Sequence, residues 1–280
     1  MRELLVAKFD GQASEQHKLP AYEAVQSLYG IARSVLIITN YVAEGRVRRK
    51  EFNPEGFELN IIAQRAGSFE TVFELVTDPM SMTIIGGLGL SVAGNFVTDV
   101  IKSVFQRAIG KQAQPDIEAL ESSGKLSGGD MAALVDAIEP AMKNAHRSVN
   151  KGASNIFIIA GDGNYVTLNQ ASKDYVNSSI RDERIRAKLF SVASFNANSG
   201  YGRAFDYEEG RTIPFVMQHD ADRKTIDTIL GSMSSYARRR HLGDDLRTAV
   251  AFQYRATLSV DGRVKMLNLM KARQEISDLQ

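Results

Sequence analysis

Residues 186–217 read RAKLFSVASFNANSGYGRAFDYEEGRTIPFVM. Apolar and polar residues alternate along Arg186–Ala197, the period of a half-buried strand. Asn198-Ser199-Gly200 is a turn signal, and a second alternating run, Tyr201–Tyr207, follows it. Glu208-Glu209-Gly210 turns the chain again into Thr212–Met217. A helix comes next, capped by Asp220 or Asp222 and striped by Ile226, Ile229, Leu230, Met233 and Tyr236. Thr248–Val260 and Arg263–Met270, joined by Asp261-Gly262, read as two more strands. Three strands, a helix and two strands are the element order of a small five-stranded barrel, OB-like or SH3-like.

Upstream the pattern is mixed. Glu3–Phe9 reads as a strand closed by Asp10-Gly11. Pro20 opens a helix where its missing N–H costs nothing, and apolar residues from Tyr22 to Leu36 form one stripe of a helix ending near Gly45. Phe57–Ala63 and Phe69–Leu75 alternate on either side of Ala66-Gly67-Ser68, a hairpin. Pro115–Gly128 reads as a short helix and a turn, and Asp130 as the cap of a helix striped by Met131, Leu134, Val135, Ile138 and Met142. Asn155–Ala160 and Tyr165–Leu168 flank a tight turn. The expected class is α+β, with a small N-terminal sheet and long helices before the barrel. The expected divisions are 1–110, a helical and hairpin connecting region at 111–183, and a barrel at 184–280.

Pro79–Thr98 is a run of twenty residues without a formal charge, PMSMTIIGGLGLSVAGNFVT. Gly87 and Ser91 are four apart, as are Gly89 and Ala93, the small-xxx-small spacing of close helix pairs. Leu88, Val92 and Phe96 would share the apolar face. The leading expectation is a buried or oligomerising helix, hence a homo-oligomer. A membrane-inserting segment and a phosphate-cradling glycine loop are the alternatives.

Composition excludes several chemistries. The chain has 280 residues, 34 basic and 33 acidic, so it is neither a polycationic coat nor an acidic disordered tail. It has no Cys, which removes disulfides, zinc-thiolate and iron–sulfur sites and Cys nucleophiles. The absence of Cys and the short apolar run after Met1 point to a cytoplasmic protein. His219-Asp220-Ala221-Asp222 and His241-Leu242-Gly243-Asp244-Asp245 hold metal-ligand types, yet the aspartates are better read as cap and turn residues. No nucleophile elbow is present, and neither a catalytic residue, a metal nor a cofactor is expected.

The barrel is the better place for a partner. Phe195, Tyr201, Phe205 and Phe215 are interleaved with Arg203 and Arg211, and Arg238, Arg239 and Arg240 follow on the helix. Rings for stacking and cations for phosphates suit single-stranded nucleic acid. The plainer alternative packs the rings inside the barrel and sets the three arginines against a helix dipole. Residues 181–280 carry 17 basic and 13 acidic residues, which permits such a partner. A second protein is the other partner weighed.

Ser194-Phe195-Asn196 and Gly200-Tyr201-Gly202-Arg203-Ala204-Phe205 resemble the surface strands of cold-shock domains over this short stretch. Thr212-Ile213-Pro214-Phe215 departs from them, with one ring where that family has a run. More of the chain resembles a group of uncharacterised bacterial and prophage proteins. The features shared are the order strand, helix (Leu28-Tyr29-Gly30-Ile31-Ala32-Arg33), hairpin (Gly67-Ser68-Phe69-Glu70) and glycine-rich segment. The phrase Asp136-Ala137-Ile138-Glu139-Pro140 before His146-Arg147-Ser148 fits as well. That resemblance implies a bacterial or mobile-element setting in which phage defence is plausible. The leading expectation is thus a non-enzymatic, self-associating scaffold or effector, with nucleic-acid binding and membrane insertion as alternatives.

Overall fold

The computed structural model describes residues 2–52, 56–65, 69–78, 82–84, 96–160, 163–218 and 220–279. The chain divides into two compact units, Met1–Asn177 and Ser178–Gln280. The class is α+β, as the sequence implies.

The first unit is a five-stranded antiparallel sheet in the order β2-β3-β1-β4-β5. Its strands are β1 (Arg2–Asp10), β2 (Phe57–Arg65), β3 (Phe69–Thr77), β4 (Asn155–Ala160) and β5 (Asn164–Leu168). The alternation in β1 explains its central place. Leu5, Ala7 and Phe9 are buried on one face, and Leu5 lies opposite Phe73 of β3 on one side and Ala160 of β4 on the other. That face packs into one core with the long helices α1 (Ala21–Glu44), α2 (Phe96–Ala108) and α4 (Gly128–Ala145); α3 (Pro115–Ser122) and α5 (Gln170–Asn177) complete the unit. Pro20 caps α1, and Gly45 ends it at φ 71°, donating to the Tyr41 carbonyl at 2.7 Å.

The region expected to connect two domains, 111–183, is split instead. Residues up to Asn177 belong to the first unit because β4 pairs with β1 and α4 packs against α1. The closest approach is at Gly30. A Cβ built there would stand 2.3 Å from Ala145 N and 2.4 Å from Ala141 O. Ala137, Ala141 and Ala145, each four apart, are all buried on α4. Small residues thus let two backbones touch. Ser27 reinforces the crossing, its Oγ accepting from Ser148 N at 3.0 Å. The cap of α4 is Ser127, whose Oγ accepts from Asp130 N, rather than Asp130 itself.

Gly87, Leu88, Gly89, Ser91, Val92 and Ala93 lie outside the described residues, as do the turn 66–68 and His219. Phe96, the one member of the expected self-association set that is described, opens α2 and packs against the core of its own unit. Among the described residues no helix is long and apolar enough to cross a membrane.

The second unit is the barrel. Its strands are β7 (Arg186–Asn196), β8 (Tyr201–Asp206), β9 (Arg211–Met217), β10 (Ala249–Leu258) and β11 (Val264–Arg273), with a short β6 (Ile180–Arg181) beside β10. The ring closes as β7-β8-β9-β11-β10 and back to β7, antiparallel except for β9 with β11. The helix α6 (Arg223–Leu242) lies between the third and fourth barrel strands. Of the two barrels expected, this is the OB-like one. Asp222 caps α6, accepting from Thr225 N at 2.7 Å, and Arg273 of β11 binds the same carboxylate. Ser232 Oγ donates to Thr248 O at 2.6 Å and accepts from Val192 N at 3.0 Å, stitching α6 to β7 and to the approach of β10.

Candidate functional site

β8 carries the surface that the sequence singled out. Gly202, Ala204 and Asp206 point into the barrel, so Tyr201, Arg203 and Phe205 share its outer face. Tyr207, two residues on, continues the series. Tyr201 is 42% exposed and Tyr207 47%. Alternate residues on a strand stand about 6.7 Å apart, so Tyr201, Arg203 and Phe205 form a row, and Tyr207, in the turn after β8, adds a third ring beside Phe205. Arg203 is steadied by an Nη2–H donated to Thr212 O at 3.0 Å. The Phe205 and Tyr207 rings meet edge to face with centroids 5.5 Å apart, and the Tyr207 hydroxyl lies 2.9 Å from Thr248 Oγ1.

The other expected members sit elsewhere. Phe195 and Phe215 flank Gly202 on the neighbouring strands. Their rings stack at 6.1 Å, and a Cβ on Gly202 would stand 2.3 Å from the Phe215 ring and 2.6 Å from Ser194 O. Phe215 is fully buried and Phe195 packs against the same core. Arg211 is 3% exposed; it binds Glu209 at 2.7 Å and donates to Val264 O at 3.0 Å, so it fastens the base of the barrel rather than meeting solvent. Phe195 and Phe215 therefore pack into the barrel and Arg211 is buried, while Tyr201, Arg203 and Phe205 are outward.

Arg238, Arg239 and Arg240 are exposed in the last turns of α6. Arg238 pairs with Asp244 at 2.8 Å, and Arg240 donates to the Tyr236 hydroxyl at 3.1 Å. Arg239 lines a cleft that also takes in Tyr207 and Arg247. Sequence reasoning missed Tyr207 as a site residue although it keeps the period of two from Tyr201. Arg247 gave no such signal, because only the fold brings it beside the turn after β8.

The first unit holds buried titratable groups with a structural meaning. His146 Nδ1 lies 2.7 Å from the Met142 carbonyl and must donate to it, so Nε2, 2.9 Å from Ser172 Oγ, is the acceptor. Burial pulls this imidazole down from 6.5 to about 4, and Lys173 adds to the shift against the Met142 bond. Both His146 and Ser172 are buried, so the pair ties the end of α4 to α5. Burial pushes the Glu3 carboxyl from 4.5 up to about 7, helped by Asp99 and opposed by Lys102. Neither Glu3 carboxylate oxygen has a hydrogen-bond partner among the described residues. Among the described residues no cluster of three His, Asp or Glu could hold a metal ion.

The model of a family described as Domain of unknown function (DUF7946) matches residues 5–177, and that of a Family of unknown function (DUF7947) matches residues 184–273. These limits follow the two structural units. No curated protein matches the chain. The first match covers the sheet-and-helix unit and more than half of the sequence, and on that ground the chain belongs to the DUF7946 family, with its barrel similar to DUF7947.

Proposed function

We propose that the barrel binds single-stranded nucleic acid along β8. The observation that carries the reading is the outward row Tyr201, Arg203, Phe205 and Tyr207. Bases of any identity stack on such rings, and Arg203 in the row and Arg239, which shares a cleft with Tyr207, meet phosphates without reading sequence. The excess of basic over acidic residues in 181–280 acts in the same direction. The reading involves no catalysis. It fits the bacterial or prophage setting that the sequence resemblance implies, where foreign single strands are a ready target.

Fluorescence anisotropy of a labelled oligonucleotide, titrated with the full chain across a salt series, tests it. Affinity should fall steeply between about 50 and 200 mM salt. Tyr201→Ala and Phe205→Ala should each weaken binding by about 1–3 kcal/mol. Absence of binding at low salt, or binding indifferent to both substitutions, overturns the assignment.

A further inference from the structure

The row on β8 ends at a cleft of about 520 Å³ within the same unit. That volume is in the range of small-molecule sites. Leu189, Ile276 and two alanines, Ala187 and Ala249, give it apolar lining, and its charged lining is three cations, Lys188, Arg239 and Arg247, against a single acid, Glu208. The three cations are not equivalent. Lys188 is held by Asp206 at 2.8 Å and Glu208 at 2.9 Å. Arg247 pairs with Glu275 at 2.5 Å, both side chains about half exposed. Arg239 has no acidic partner among the described residues, so its fork of donors is open. Tyr207 belongs to both features, and its bond to Thr248 fixes the ring between them.

The chemistry that suits this cleft is an amphipathic anion, with a flat or apolar part against the apolar lining and a compact acidic group at the arginines. An internal phosphodiester carries one charge. A phosphate monoester carries nearly two at neutral pH, with three acceptor oxygens, and a strand end is the one place where it occurs. We propose that the cleft holds the terminal nucleotide of a bound strand and selects an end bearing a phosphate monoester. This rests on the barrel binding single strands.

The test uses oligothymidylates identical but for a 5′-phosphate, a 3′-phosphate or hydroxyls at both ends, titrated with the full chain at one salt concentration. One phosphorylated form should bind about tenfold more tightly than the hydroxyl form, the worth of one good charge-assisted contact. Arg239→Gln, on an exposed helix surface, should bring that ratio close to one. Equal affinity for all three strands overturns end selection and leaves the β8 surface standing. Loss of all three overturns both readings. A ratio that survives Arg239→Gln and Arg247→Gln removes the assignment from this cleft.

Discussion

Gly30 and Gly202 are both glycines with no room for a side chain, yet their surroundings differ. At Gly30 the obstruction is the backbone of α4, with Ala145 N and Ala141 O inside 2.5 Å. At Gly202 it is first the Phe215 ring, and only then the Ser194 carbonyl at 2.6 Å. At Gly30 both of these obstructions belong to the backbone of one helix, which moves only as a whole, whereas at Gly202 a buried ring and a single strand carbonyl share the obstruction. The first unit is thus organised around a rigid contact of two helices, and the barrel around an aromatic pair draped over a bare strand position.

The sharpest way to break this contrast is Gly30→Ala. It should cost more than about 3 kcal/mol, because no rotamer change relieves a backbone collision. Hydrogen exchange on the full chain should show protection lost chiefly in residues 1–177. A mild effect would mean that α1 and α4 can slide apart. Gly202→Ala should cost less, about 2 kcal/mol, with the loss in the barrel and a change in near-ultraviolet circular dichroism as Phe195 and Phe215 unstack. If its cost exceeded that of Gly30→Ala, the ranking of ring against backbone would be wrong.

The smallest effect concerns charge. The first unit buries Glu3 and His146, whereas several cations of the barrel, Arg238 and Arg247 among them, form ion pairs at its surface. Glu3 binds its proton more tightly folded than unfolded, so its contribution is full below about pH 4.5 and is lost as pH rises through about 7. His146 binds its proton less tightly folded, so its contribution is full above about pH 6.5 and is lost as pH falls through about 4. Over most of this window the two slopes oppose each other, and the wild type should vary little. Glu3→Gln should add on the order of 1–2 kcal/mol near pH 8, allowing for solvent screening, and unmask the acid sensitivity of His146. Urea midpoints near pH 5 and pH 8 read both effects. An unchanged pH profile in the variant would show that Glu3 is ionised without penalty.

The barrel was the more legible half. Its strands announce themselves by a period of two and by turns at Asn198–Gly200, Glu208–Gly210 and Asp261–Gly262, and the structure follows them within a residue or two at most ends. The site was only partly legible, because alternation says which residues share a face and not which face is out. Phe195 lies on the inward face, and a single bulge between Val192 and Ser194 decides that placement. In the first unit, small-residue spacing marks Gly87 and Gly89 in the sequence, yet the contact of that type on view is Gly30 against Ala141 and Ala145. A lone glycine inside an ordinary apolar stripe carries no mark of its partner. The raised carboxyl of Glu3 was hidden for the same reason: a charged residue at the start of a strand looks like a surface residue until the fold buries it near Asp99 and Lys102 of α2.

The parallel seam of the barrel has a last consequence. β11 is the wedge between β9 and β10, so deleting that one strand would uncover two ladders of unmet backbone donors and acceptors at once. Val264–Arg273 thus covers, in one strand, the two backbone edges by which a barrel lacking it would pair with its neighbours.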